Sequence, residues 1–243
     1  MENLFINPKR EQWNDIIKRP ALDYALLERI VQPILEEVKT NGDAAIQKYS
    51  AQFDGVQLQD FKVTAAEIKN AVIAVDEELK QAIGLAIKNI TTFHTAHTDA
   101  LVKIETTPGV MCWRKPVAIE SVGLYIPGGT APLFSTLLML AIPAQIAGCK
   151  NIIVCTPSDK NGDVHPAILF TTNILGIKNI YKIGGAQAIA AMAYGTESVP
   201  RVYKIFGPGN QYVTCAKQLV SRQGIAIDMP AGPSEVAVYA DDT

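Results

Sequence analysis

The sequence predicts an α/β protein: a helical segment of about a hundred residues, then a parallel sheet covered by helices on both faces. Three observations lead there. Apolar runs without polar alternation recur after Pro108, at Val122–Ile126, Ile152–Cys155, Ile180–Ile183, Val202–Phe206 and Ile225–Asp228. Helical patterns near 133–147, 165–175, 187–194 and 211–222 separate them. The region before Pro108 shows the helical period and almost no strand pattern. Strands that do not alternate are buried on both faces, as in parallel sheets whose crossovers are helices.

In the first segment, Tyr24 to Lys39 places Leu26, Leu27, Ile30, Val31, Ile34, Leu35 and Val38 on one stripe, with Asn41-Gly42 as a stop signal. Thr64-Ala-Ala-Glu67 is a capping box opening a helix to about Ala74. Another helix is expected from Asp76 through Leu79, Ile83, Ala86, Ile87 and Ile90. With no strands of their own, these helices need a sheet supplied from elsewhere. Val110–Trp113, Val117–Ile119 and Val236–Tyr239 are expected as further strands, and Pro143 as a kink or early end of its helix.

Composition narrows the function. Over 243 residues, 48% are hydrophobic and 19% charged, which suits a compact core rather than disorder. Lys plus Arg total 22 against 24 for Asp plus Glu, a net charge of −2, so there is no basic footprint for nucleic acid or anionic lipid. No stretch has the apolar length of a membrane span or a signal peptide, which makes the expected location cytoplasmic. Cys112, Cys149, Cys155 and Cys215 show no CxxC spacing, and the last three are expected as reduced core residues.

Ligands in an open α/β sheet bind where strands end and helices begin. The tips here are Tyr125-Ile-Pro-Gly-Gly-Thr130, Gly184-Gly-Ala-Gln187, Phe206-Gly-Pro-Gly-Asn210 and Asp228-Met-Pro-Ala-Gly-Pro-Ser-Glu235. One such tip is an ordinary tight turn, whereas four on successive strands point to a nucleotide-sized ligand. The dinucleotide fingerprint itself is incomplete: Gly207 and Gly209 match its first two glycines, and Tyr212 stands in place of the third. Asp228 lies about where a ribose-binding acid would fall. His94 and His97, three apart on a helix end, are a possible zinc half-site without a third donor, and His165 before Pro166 reads as a helix cap. Cys155 is the one cysteine at a strand tip and has no basic neighbour in sequence to activate it, which counts against a cysteine-dependent aldehyde dehydrogenase. A non-catalytic nucleotide-binding module is a second alternative.

Taken together, Asn89–His94, Pro108–Val110, Ser121–Gly129, Gly184–Ala191, Lys204–Asn210 and Ile227–Val236 resemble the histidinol dehydrogenases, in order along nearly the whole chain. The resemblance implies oxidation of L-histidinol to L-histidine through histidinal, with two NAD molecules and a zinc ion. It implies NAD contacts at Tyr125, Gln187 and Asn210 and a substrate contact at Ser234. It also implies an incomplete Rossmann-like sheet domain of aldehyde-dehydrogenase-like architecture at 120–236. On that reading residues 1–119 are the helical part of a second, truncated α/β domain, to which 237–243 begin the return. The family's zinc ligands and its catalytic Glu-His pair would follow Thr243, so no metal ligand or catalytic residue is assigned within this chain. A homodimer is implied for the full-length form.

Overall fold

The computed structural model describes residues 4–18, 23–97, 101–128, 131–230, 238 and 240. After a short 3-10 turn (Arg10–Gln12), the described elements run α1 (Trp13–Ile16), α2 (Tyr24–Tyr49), a π-helical turn (Ser50–Asp54), α3 (Ala65–Ala74) and α4 (Glu77–Thr95). A hairpin of β1 (Lys103–Thr107) and β2 (Val110–Trp113) follows. Then come β3 (Ser121–Tyr125), α5 (Phe134–Ile146), β4 (Asn151–Thr156), α6 (Pro166–Ile174), β5 (Asn179–Lys182), α7 (Gly185–Tyr194), β6 (Lys204–Phe206), α8 (Gln211–Ser221) and β7 (Ala226–Ile227).

The five later strands form one parallel sheet in the order β5-β4-β3-β6-β7. The chain winds outward from β3 through β4 to β5, then returns to lay β6 against the other side of β3. Successive residues of each strand serve opposite faces. Val122, Leu124, Ile126, Ile152, Val154 and Ile180 enter a core with residues of α5 and α6, while Tyr125, Ile153, Cys155, Tyr181, Ile183 and Ile205 enter a second core with α7 and α8. Both faces being covered is why the strands carry no polar alternation.

The first segment lies on this same sheet layer. The stripe Leu27, Val31, Ile34, Leu35 and Val38 of α2 is buried against α7 and α8, so most of the face expected to lack a sheet is covered, with Leu26 and Ile30 left exposed. In turn, α3 packs on α6 and α4 on α5. Phe61 to Val63 close the edge of β5, with Val63 N–H donating to Ile180 (2.9 Å) and Lys182 N–H to Phe61 (2.7 Å). This short addition blunts an otherwise open sheet edge.

Sequence signals set most helix starts. Thr64 and Glu67 form the reciprocal capping box, Asp76 accepts the Leu79 amide at 2.7 Å, and His165 Nδ1 accepts the Ala167 amide at 3.2 Å with Pro166 in the first turn. Three expectations differ in detail. Gly42 breaks α2 (φ 53°, ψ −129°) without ending it, because Ala45, Ile46 and Tyr49 re-enter the core and Glu197 accepts the Asp43 amide at 2.9 Å. Residues 117–119 form no strand, whereas 103–107 pair with 110–113 in a hairpin that is exposed at every residue. Pro143 does not end α5, which runs one turn further to Ile146 although the Met139 carbonyl loses its helical donor. The strand expected at Val236–Tyr239 lies outside the described residues, apart from Val238.

The resumed half of α2 is expected to be core. Ile46→Ala, at a side chain with no exposed surface, should cost about 2–5 kcal/mol in urea unfolding. Ile73→Ala, at a side chain 73% exposed, should stay within about 0.5 kcal/mol. Equal midpoints for the two variants would contradict this packing.

Candidate functional site

The strand order puts a topological switch between β3 and β6, and the crevice at the carboxyl ends of such strands is where open α/β sheets bind ligands. A cleft of about 490 Å³ lies there, lined among others by Asp54, Tyr125, Gly128, Pro157, Gly185 and Asn210. Its walls come from the β3, β4, β5 and β6 tips and from the π-helical turn after α2.

The β6 tip is held by a buried ion pair. Lys217, 5% exposed on α8, pairs with Asp228 just after β7 and donates to the Gly207 carbonyl at 2.8 Å. Asp228 in turn accepts the Gly207 amide at 2.8 Å. A buried ammonium is tolerated only with partners of this kind. Gly207 has φ 131°, and a Cβ there would stand 2.1 Å from the Tyr125 carbonyl oxygen, so only glycine lets the β6 tip lie against β3. Asn210 closes the loop as the N-cap of α8, its Oδ1 accepting the amides of Tyr212 and Val213, each at 3.1 Å. That leaves Nδ2 as the Asn210 atom available to a ligand.

The β3 and β5 tips meet through Tyr125. Its ring is buried, and its hydroxyl accepts the Gly185 amide at 3.0 Å, pinning the first turn of α7. Burial above all pushes the phenol up to about 12, with the nearby Asp54 carboxylate and Cys155 adding to the effect. Tyr125 is therefore a neutral wall of the cleft. Gln187, the third residue of α7, is fully buried: Nε2 donates to Asp54 at 3.4 Å, and Oε1 has no partner among the described residues. Gly185 (φ 63°) makes room for it, since a Cβ there would lie 2.6 Å from Gln187 Oε1. Asp54 itself is half-buried, and burial raises its carboxyl above the usual range.

Tyr125 and Asn210 thus line the cleft, and Gln187 stands directly behind Gly185. Ser234 lies outside the described residues. Asp228 does not face a ligand as the sequence position suggests, because Gly207 and Lys217 occupy its oxygens. Asp54 and Lys217 were missed. Asp54-Gly55 carries only a turn signal, and nothing local brings it to strands a hundred residues away; Lys217 looks like any lysine in an amphipathic helix.

The remaining candidates do not gather. Among the described residues no group of three or more His, Cys, Asp or Glu is placed to hold a metal. His97, just past the end of α4, has its Nδ1 2.7 Å from the Phe93 carbonyl. Cys155 and Cys215 are buried and Cys149 is partly buried. Burial raises the Cys155 thiol far above its ordinary value, which is the opposite of activation.

Removing the loop's clamp tests the geometry. Lys217→Ala should destabilise the protein by about 1–3 kcal/mol through the unsatisfied Gly207 carbonyl and Asp228 carboxylate. Hydrogen exchange should quicken at the 207–213 amides. An unchanged exchange rate there would mean the loop holds without the ion pair.

Comparison with known proteins agrees with this α/β fold. The family model described as histidinol dehydrogenase matches residues 17–243. A histidinol dehydrogenase of Bacteroides fragilis is 61% identical over 236 residues, covering 97% of this chain and 55% of its own length. One from Escherichia coli is 52% identical over 234 residues, covering 95% and 53%. The crystal structure of histidinol dehydrogenase from Elizabethkingia anophelis superposes with a TM-score of 0.88 at 53% identity, over 95% of this chain and 53% of that one. The chain spans about half the length of the curated relatives it matches. It belongs to the histidinol dehydrogenase family.

Proposed function

We propose that this chain is the dinucleotide-holding part of an enzyme that oxidises L-histidinol to L-histidine through histidinal, with NAD as acceptor. The observation that supports it most is the cleft at the β3/β6 switch, backed by the buried carbonyl of Gln187, which has no partner among the described residues. A buried acceptor without a donor is costly, and a ligand hydroxyl or amide would satisfy it. Bound NAD would accept the hydride. This chain's residues would bind and orient it: Asn210 Nδ2 as donor, the α8 N-terminus as a site for phosphate oxygens, and Tyr125 as a neutral wall.

We read residues 120–236 as an incomplete Rossmann-like NAD-binding domain of aldehyde-dehydrogenase-like architecture. Residues 1–119 would be the helical segment of a second α/β domain and 237–243 the start of the return to it. Ser234 is proposed as a substrate contact. The described residues offer no cage for zinc, and no step is assigned to it; its ligands, like the catalytic acid–base pair, are proposed to lie in sequence beyond Thr243. A homodimer is proposed for the full-length form, in the cytoplasm. Among the described residues no helix is long and apolar enough to cross a membrane.

In the full-length protein, Asn210→Asp should keep the helix cap while losing the amide donor. NAD binding should weaken by about 1–3 kcal/mol with the urea midpoint unchanged. Undiminished affinity would remove Asn210 from the site. Given histidinol and NAD, the 243-residue chain alone should produce no NADH by absorbance at any pH, because the cleft lining among the described residues includes no histidine to work beside its carboxylates. Sustained turnover would overturn that division of labour.

A further inference from the structure

We propose that Asp54, delivered to the cleft by the turn after α2, binds the hydroxyls of the adenosine ribose and makes the site prefer NAD to NADP; this rests on the nucleotide reading above. Sites that choose NAD commonly place a carboxylate on the ribose diol, because the acid accepts two hydroxyl hydrogen bonds and repels a 2′-phosphate. The acid at the usual position in sequence, Asp228, is taken by Lys217 and the Gly207 amide. Asp159, which also lines the cleft, accepts the amides of Asn161 (2.8 Å) and Asp163 (2.9 Å).

Asp54 is in a different state. Its hydrogen bond to Gln187 Nε2 is long, at 3.4 Å, and an ionised carboxylate has about four acceptor sites. Its Oδ1 lies over Gly184, 3.5 Å from where a Cβ would stand, so the glycine pair at the β5 tip puts no side chain over the half-buried carboxylate. Gln187 Oε1 lies under Gly185 and has no partner among the described residues. Two acceptors at one corner call for a ligand rich in donors. Vicinal ribose hydroxyls are that ligand, whereas a phosphate dianion brings acceptors and like charge. The adenosine ribose is chosen over the nicotinamide ribose by the layout of the chain. Among the described residues the cleft lining holds no histidine, and Asp159 is committed to the amides of its own loop, so the reacting end of the dinucleotide is placed outside this segment and the adenosine end within it.

The test uses the full-length protein and measures binding of NAD, NADP and NAD lacking the adenosine 2′-hydroxyl. Wild type should bind the deoxy analogue and NADP at least tenfold more weakly than NAD. Asp54→Ser should bind NAD about tenfold more weakly, NADP no more weakly than wild type does, and should no longer distinguish NAD from the deoxy analogue. An unchanged NAD-to-NADP ratio, or an equal loss of both, overturns the inference and leaves Asp54 a support for Gln187. If Asp54→Ser does not fold, the wild-type comparison decides, and equal affinity for NAD and the deoxy analogue overturns it. Failure of the nucleotide reading looks different: wild type then binds neither NAD nor NADP, whatever stands at position 54.

Discussion

The cleft depends on the ion pair between Lys217 and Asp228, because that pair fixes where the β6 tip goes. An unpaired ammonium or carboxylate in that setting would be costly to bury, so the two must meet, and they meet across the Gly207 peptide. The peptide is gripped at both its amide and its carbonyl. With the loop held there, Gly207 lies against the Tyr125 carbonyl, and Asn210 arrives where it can cap α8 and still face the cleft. The third glycine of the usual fingerprint is unnecessary: Gly209 already gives Val213 its approach, a Cβ at 209 falling 2.3 Å from Val213 Cγ1.

From this clamp the site extends by contact. Tyr125, at the end of the central strand, passes the position of β3 to the first turn of α7 through the Gly185 amide. Gln187 then links α7 to Asp54, and so to the turn that ends α2. The N-terminal helices are thereby part of the cleft as well as its cover. α2 buries its stripe on α7 and α8, and its last residues lead straight into Ser50–Asp54. The Gly42 break makes this possible, because Asp43, just past it, is tied to the loop after α7 by hydrogen bonds with Glu197 and Ser198.

The electrostatics of the cleft favour neutral donors and, at one helix end, an anion. Tyr125 and Asp54 are both pushed upward chiefly by burial. Lys160 is the basic side chain on the lining, and it is exposed. A ligand with hydroxyls at one end and phosphate at the other suits such a lining, whereas a purely anionic ligand would meet Asp54.

The sequence alone determined the alternation of strands and helices, the parallel sheet, most helix caps and three strand tips. These follow from local periodicity and from residues whose effect is confined to a few neighbours: Thr64 with Glu67, Asp76, Pro166, the glycines at 207 and 209. Through likeness to a family it also indicated Tyr125, Gln187 and Asn210, all of which stand at those tips. Only the tertiary structure decided that α2 covers α7 and α8, that Asp228 belongs to Lys217 rather than to a ligand, and that Asp54 stands beside Gln187. The reason is distance along the chain. Asp54 and Gln187 are 133 residues apart, and the strand order β5-β4-β3-β6-β7 that brings them together is set by how both faces of the sheet are buried at once, which no local pattern encodes.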